Sequence, residues 1–63
     1  MPLVQITMLT GRTAEQKRKL AQRITQAMVE EAGARPEAVV VAFHEVSSES
    51  YASGGVLMAD KAK

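Results

Sequence analysis

The stretch Ala38-Val39-Val40-Val41-Ala42-Phe43-His44-Glu45-Val46 constrains the fold of this chain more than any other. It is β-branched and apolar on both alternating sides, with Val39, Val41 and Phe43 on one face and Val40 and Ala42 on the other. Strands of that kind occur where both faces are covered. The chain has 63 residues and one long helical segment, which can cover one face only. A chain this short buries only about 60% of its unfolded surface, and small folds make up the deficit with disulfides, metal or oligomerisation. There is no cysteine and a single histidine, so neither a disulfide nor a metal site is expected. The second face of the strand is therefore predicted to lie against another copy of the chain.

The remaining elements follow in order. Val4, Ile6 and Met8 alternate with Leu3, Gln5, Thr7 and Leu9, the period of a strand over Leu3 to Leu9. Thr10-Gly11-Arg12 reads as a turn, and Thr13-Ala14-Glu15-Gln16 matches a capping box that opens a helix from about Ala14 to Ala32. Leu20, Ile24, Ala27, Met28 and Ala32 form its apolar stripe, with Val29 roughly opposite as a single exposed apolar residue. Gly33 is a left-handed stop, and Pro36 breaks any continuation before the valine-rich strand. Strand, helix and strand in this compass predict a right-handed β-α-β unit with parallel strands. Ser47 to Ser50 is a polar loop, Gly54-Gly55 turns a short hairpin that packs on a neighbour, and Ala59 to Lys63 is a polar, fraying end. The whole chain, 1–63, is expected to be one α/β domain whose two-stranded sheet is completed by other subunits.

Several functional classes fall away on composition. The net charge is +1, with one Tyr, one Phe and no Trp, which offers nucleic acid neither a strong field nor a stacking platform. No apolar run reaches membrane-spanning length and no signal-peptide pattern is present. The absence of cysteine fits a cytoplasmic location. No Ser/His/Asp set, phosphate-binding glycine loop or metal-ligand spacing is present, so no cofactor is expected.

The residues that could carry chemistry lie near the start. Initiator Met is trimmed when a small residue such as Pro follows, which would leave Pro2 with a secondary amine at the head of an apolar strand. An ordinary α-amino group titrates at about 7.7–8.0. A prolyl amine is intrinsically more basic, but apolar surroundings and a nearby cation both favour its neutral, proton-accepting form. Arg12, in a turn before a helix, suits a carboxylate clamp and could supply that cation. The plainer alternatives are a Met-Pro that rigidifies the terminus and a solvated loop arginine. Lys17, Arg18, Lys19 and Arg23 make the first half of the helix basic, while Glu30 and Glu31 lie near its end. Both placements oppose the helix dipole; a positive field that steers an anionic substrate would explain them, and an ordinary solvated, charged helix face is the plainer alternative. His44 shares a strand face with Val40 and Ala42 and is expected at a surface or interface; Glu45 is expected as a solvated strand-end carboxylate.

Met1-Pro2, Leu9-Thr10-Gly11-Arg12-Thr13 with Glu15-Gln16-Lys17, and Tyr51-Ala52-Ser53-Gly54-Gly55 together resemble the 4-oxalocrotonate tautomerase family, also called 2-hydroxymuconate tautomerases, over essentially the whole chain. The resemblance implies a β-α-β fold with a short C-terminal hairpin, assembled as a hexamer that is a trimer of dimers. It implies cofactor-free keto–enol proton transfer on a small unsaturated 2-hydroxy or 2-oxo acid, such as occurs in aromatic hydrocarbon catabolism. Pro2 would be general base and then general acid, Arg12 would bind the distal carboxylate, and Tyr51, where the family typically has Phe, would wall the pocket. Val40 stands where well-known members carry a second arginine. A charged hydrogen bond lost there costs roughly 1.5–3 kcal/mol. Arg35 could substitute only if its loop folds back. The competing expectations are a non-catalytic or partner subunit of a mixed hexamer, and a same-family dehalogenase or hydratase using Glu45 or Tyr51 to activate water.

Overall fold

A computed structural model describes residues 1–61. Strand β1 (Leu3–Leu9) leads to helix α1 (Ala14–Ala32), then strand β2 (Val40–Val46), a hairpin of β3 (Ala52–Ser53) and β4 (Val56–Leu57), and a closing helical turn α2 (Met58–Lys61). β1 and β2 are parallel, with Leu3 opposite Val40 and Leu9 opposite Val46. The fold is the expected small α/β unit with a β-α-β core.

Local chemistry sets the helix ends. The Thr13 hydroxyl accepts from the Gln16 N–H at 3.1 Å, and the Gln16 side-chain oxygen accepts from the Thr13 N–H at 2.9 Å. Two otherwise orphaned donors are thereby satisfied. At the other end Gly33 adopts φ 70°, ψ 20°, the left-handed conformation that glycine takes without a Cβ clash.

Two boundaries differ from expectation. β2 begins at Val40 because Pro36–Ala38 winds into a 3-10 turn, with the Ala38 N–H donating to the Arg35 carbonyl at 2.9 Å. Pro36, with its fixed φ and missing donor, suits the first position of such a turn. The chain end does not simply fray: Met58–Lys61 forms a helical turn, and the Met58 N–H donates to the Tyr51 carbonyl at 2.8 Å. Ala62 and Lys63, the rest of that expectation, lie outside the described residues.

The sheet has two unequal faces. Val4, Ile6, Met8, Val41 and Phe43 lie on the helix side and are half-buried. On the other side Leu3 is 58% and Val40 41% exposed. The helix stripe is rotated from its expected line: Ala21 and Val29 are half-buried, whereas Ala27 and Ala32 are exposed. Val29 shares a groove with Pro36, so the turn before β2 shelters it. No described residue is fully buried. The radius of gyration is 14.7 Å, against about 11 Å for a compact chain of this length, and the longest dimension is 43 Å. The hairpin and α2 account for the extension, since they pack chiefly on each other and on the Ser48–Ser50 turn.

Candidate active site

Pro2 sits at the entrance to the ladder. Its carbonyl accepts the Val40 N–H at 2.9 Å, which fixes the residue against the start of β2. Pro2 is half-buried, while Met1 is 93% exposed. Val40 and Leu3, the first register pair of the ladder, are both apolar and lie on the uncovered sheet face.

Arg12 lies beyond the opposite end of the same strand. The seven residues of β1 rise about 3.3 Å each, which separates the two ends by about 20 Å. Arg12 is therefore not the cation beside Pro2 within one chain; an extended strand holds them apart. Arg12 instead lines a cavity of about 210 Å³ with Met8, Gln16, Lys17 and Leu20. It has no ion pair among the described residues.

Lys17 is not simply part of a solvated basic face, nor is Glu45 a solvated carboxylate. The Lys17 ammonium lies 2.6 Å from the Glu45 carboxylate, with the two side chains 27% and 28% exposed. Glu45 is opposite Met8, on the helix side of the sheet, where Lys17 reaches it from the first turns of α1. Parallel register makes this contact between residues 28 positions apart, and no local sequence signal announces it. Arg35 does not fold toward Pro2: its guanidinium lies 3.5 Å from Glu37, with both side chains largely in solvent. Tyr51 is 40% exposed and leads into the hairpin, beyond the β2 end that neighbours Leu9. His44 occupies the open sheet face, as expected, with its Nε2 3.4 Å from the Gln5 side-chain nitrogen. Among the described residues, no three His, Asp or Glu side chains gather as a metal site.

The family model described as "Tautomerase enzyme" matches residues 2–61. The chain belongs to the tautomerase family. Tautomerases are isomerases, which move a proton within one molecule. Among similar proteins, a probable tautomerase from Bacillus cereus is 48% identical over 61 residues, covering 97% of this chain and all of the relative. The 2-hydroxymuconate tautomerase of Bacillus subtilis is 43% identical over 60 residues, 95% of this chain and 97% of the relative. Solved structures agree with the fold. A 4-oxalocrotonate tautomerase isozyme from Methylibium petroleiphilum superposes with a TM-score of 0.94 at 34% identity, covering 97% of this chain and 95% of that one. A heterohexameric 4-oxalocrotonate tautomerase from Chloroflexus aurantiacus gives 0.90 at 35% identity, covering 95% of this chain and 97% of that one. In this tautomerase Pro2 and Val40 lie at one end of the sheet, and Arg12 with its cavity lies at the other.

Proposed function

We propose that this tautomerase catalyses cofactor-free 1,3-keto–enol proton transfer on an unsaturated 2-hydroxy or 2-oxo acid such as 2-hydroxymuconate, with the Pro2 amine as general base and then general acid. The observation that carries the reading is the fixing of Pro2 through its carbonyl to Val40, which leaves its ring nitrogen available once Met1 is removed. Met1 is almost wholly exposed, so its removal sacrifices little packing. In the enol-to-keto direction the amine takes the hydroxyl proton, the oxygen electrons form the carbonyl, and the alkene pair moves onto carbon. That carbon then takes the proton back from the prolinium, so neither atoms nor electrons are gained or lost. Arg12 holds the distal carboxylate by charged hydrogen bonds. Tyr51 closes the pocket wall, and Val40 gives the Pro2 end an apolar side that lacks a cation.

The site is completed between chains. β1 has one edge unpaired within the described sheet. Antiparallel pairing of two β1 strands about a two-fold axis brings Pro2 of one copy toward Arg12 of the other. Association also covers the open sheet face and the exposed hairpin. The proposed assembly is a homohexamer, a trimer of such dimers, working in the cytoplasm on small anionic acids of aromatic catabolism.

The test is steady-state turnover of 2-hydroxymuconate and phenylenolpyruvate by wild-type and Pro2→Ala protein, with intact mass confirming loss of Met1. Loss of at least about 100-fold in kcat is expected, the scale of general acid–base catalysis. Equal rates would sink the proposal. Val40 favours a second reading, in which this chain is a partner subunit whose missing cation comes from a different chain. A protein that assembles alone yet turns over none of these acids would select that reading.

A further inference from the structure

We propose that Lys17 is a specificity-determining residue of this tautomerase: with Arg12 it forms a two-cation clamp for a substrate carboxylate, and Glu45 sets how strongly the clamp holds. The inference rests on the reading that Arg12 receives the substrate's distal carboxylate.

The cavity beside Arg12 is furnished for an anion. Met8 and Leu20 give it apolar walls, and its polar lining consists of Arg12, Lys17 and Gln16. The Gln16 side-chain oxygen is already engaged by the Thr13 N–H, so Gln16 keeps one acceptor site beside its two amide N–H donors. Arginine and lysine are donors only. The side chains lining the cavity thus offer many donors, two of them cationic, against one free amide acceptor site, an arrangement that suits a carboxylate and disfavours a cation.

Lys17 has no evident structural reason to be there. It lies in the first turns of α1, where its charge opposes the helix dipole. An ion pair with both partners only about a quarter exposed gives back much of its Coulombic gain as lost hydration. Glu45 continues the helix-facing row of Val41 and Phe43, a position an apolar residue would fill without desolvating a charge. Its carboxylate engages the Lys17 ammonium at the edge of the cavity, balances one of the two cations and so competes with an incoming anion. Arg12 has no such counterpart among the described residues. The resting site therefore carries a net positive charge, with a second cation restrained by one removable contact.

The proposal predicts opposite signs for the two members of the pair. Kinetics of the assembled, Met1-free protein would compare 2-hydroxymuconate with the same dienol acid lacking the carboxylate remote from the hydroxyl. Lys17→Met, which keeps the aliphatic stem, should lower the diacid-over-monoacid preference in kcat/KM roughly tenfold, chiefly through KM. Glu45→Gln should raise the preference severalfold at low ionic strength, and added salt should shrink both effects. Lys17→Arg keeps the charge and should retain most of the preference. It serves as the deciding variant, alongside Glu45→Gln, if Lys17→Met does not fold by circular dichroism and native mass. A purely structural cross-link would be broken equally by Lys17→Met and Glu45→Gln; changes of the same sign, or equal changes for diacid and monoacid, would overturn the clamp. Arg12→Ala separates this failure from failure of the underlying reading. If Arg12→Ala abolishes the preference and the Lys17 variants do not, only the clamp falls. If Arg12→Ala leaves the preference intact, the role of Arg12 falls with it.

Discussion

The two ends of the β1–β2 sheet are built on different principles. At the Pro2 end, backbone does the positioning: one ladder hydrogen bond at 2.9 Å holds the residue, and its neighbours Leu3 and Val40 are apolar. At the Arg12 end, side chains do the positioning: a cavity of about 210 Å³ is edged by donors, and a 2.6 Å ion pair ties α1 to β2. One end suits a neutral base, which apolar surroundings favour, and the other suits an anion, which charge attracts. A strand of about 20 Å keeps them apart within the chain. The difference teaches that a short chain can hold incompatible environments by placing them at opposite ends of a strand; on the assembly proposed above, a second copy brings them together.

The contrast can be broken most forcefully at Pro2. Pro2→Ala should lower kcat by at least about 100-fold while leaving the proposed hexamer intact in native mass spectrometry. Arg12→Ala should act differently, raising KM for 2-hydroxymuconate by roughly 10- to 100-fold as a charged hydrogen bond is lost, with a smaller change in kcat. An Arg12 variant that lowers kcat alone would contradict the division of labour. Val40→Arg places a cation at the apolar end, and kcat/KM for a 2-oxo diacid should rise by about tenfold if that end is short of one; a fall would show that the apolar wall itself is what the substrate needs. Thr13→Ala removes the hydroxyl that accepts the Gln16 N–H beside the Arg12 cavity, but none of the cavity's donors. It should cost about 1 kcal/mol of stability, read from the denaturant midpoint, and leave substrate preference in place.

Much of this was legible in the sequence, for local reasons. Period-two alternation gave Leu3–Leu9, and the Thr13/Gln16 box with Gly33 gave both helix ends. The apolar character of both β2 faces foretold the uncovered side that the fold displays. Where the reading failed, the cause was tertiary. Helical spacing alone runs the apolar stripe through Ala27 and Ala32, which the fold leaves exposed, while Ala21 and Val29 are half-buried and Val29 shares a groove with Pro36. Lys17 and Glu45 were assigned separately to a steering field and to solvent, because only parallel register joins them. Arg12 was set beside Pro2 because the two are close in sequence, although the intervening strand is itself the reason they are far apart in one chain.

The hydrogen bond from Val40 to the Pro2 carbonyl has a practical consequence. It uses the oxygen of Pro2 and not its nitrogen, so the ladder is indifferent to what precedes the proline. On the proposed chemistry, a purification tag fused ahead of Pro2 yields a protein that folds, assembles and shows an ordinary melting curve, yet has an amide where its base should be. Exposing the proline with a protease would then switch activity on without refolding, as in the maturation of a zymogen.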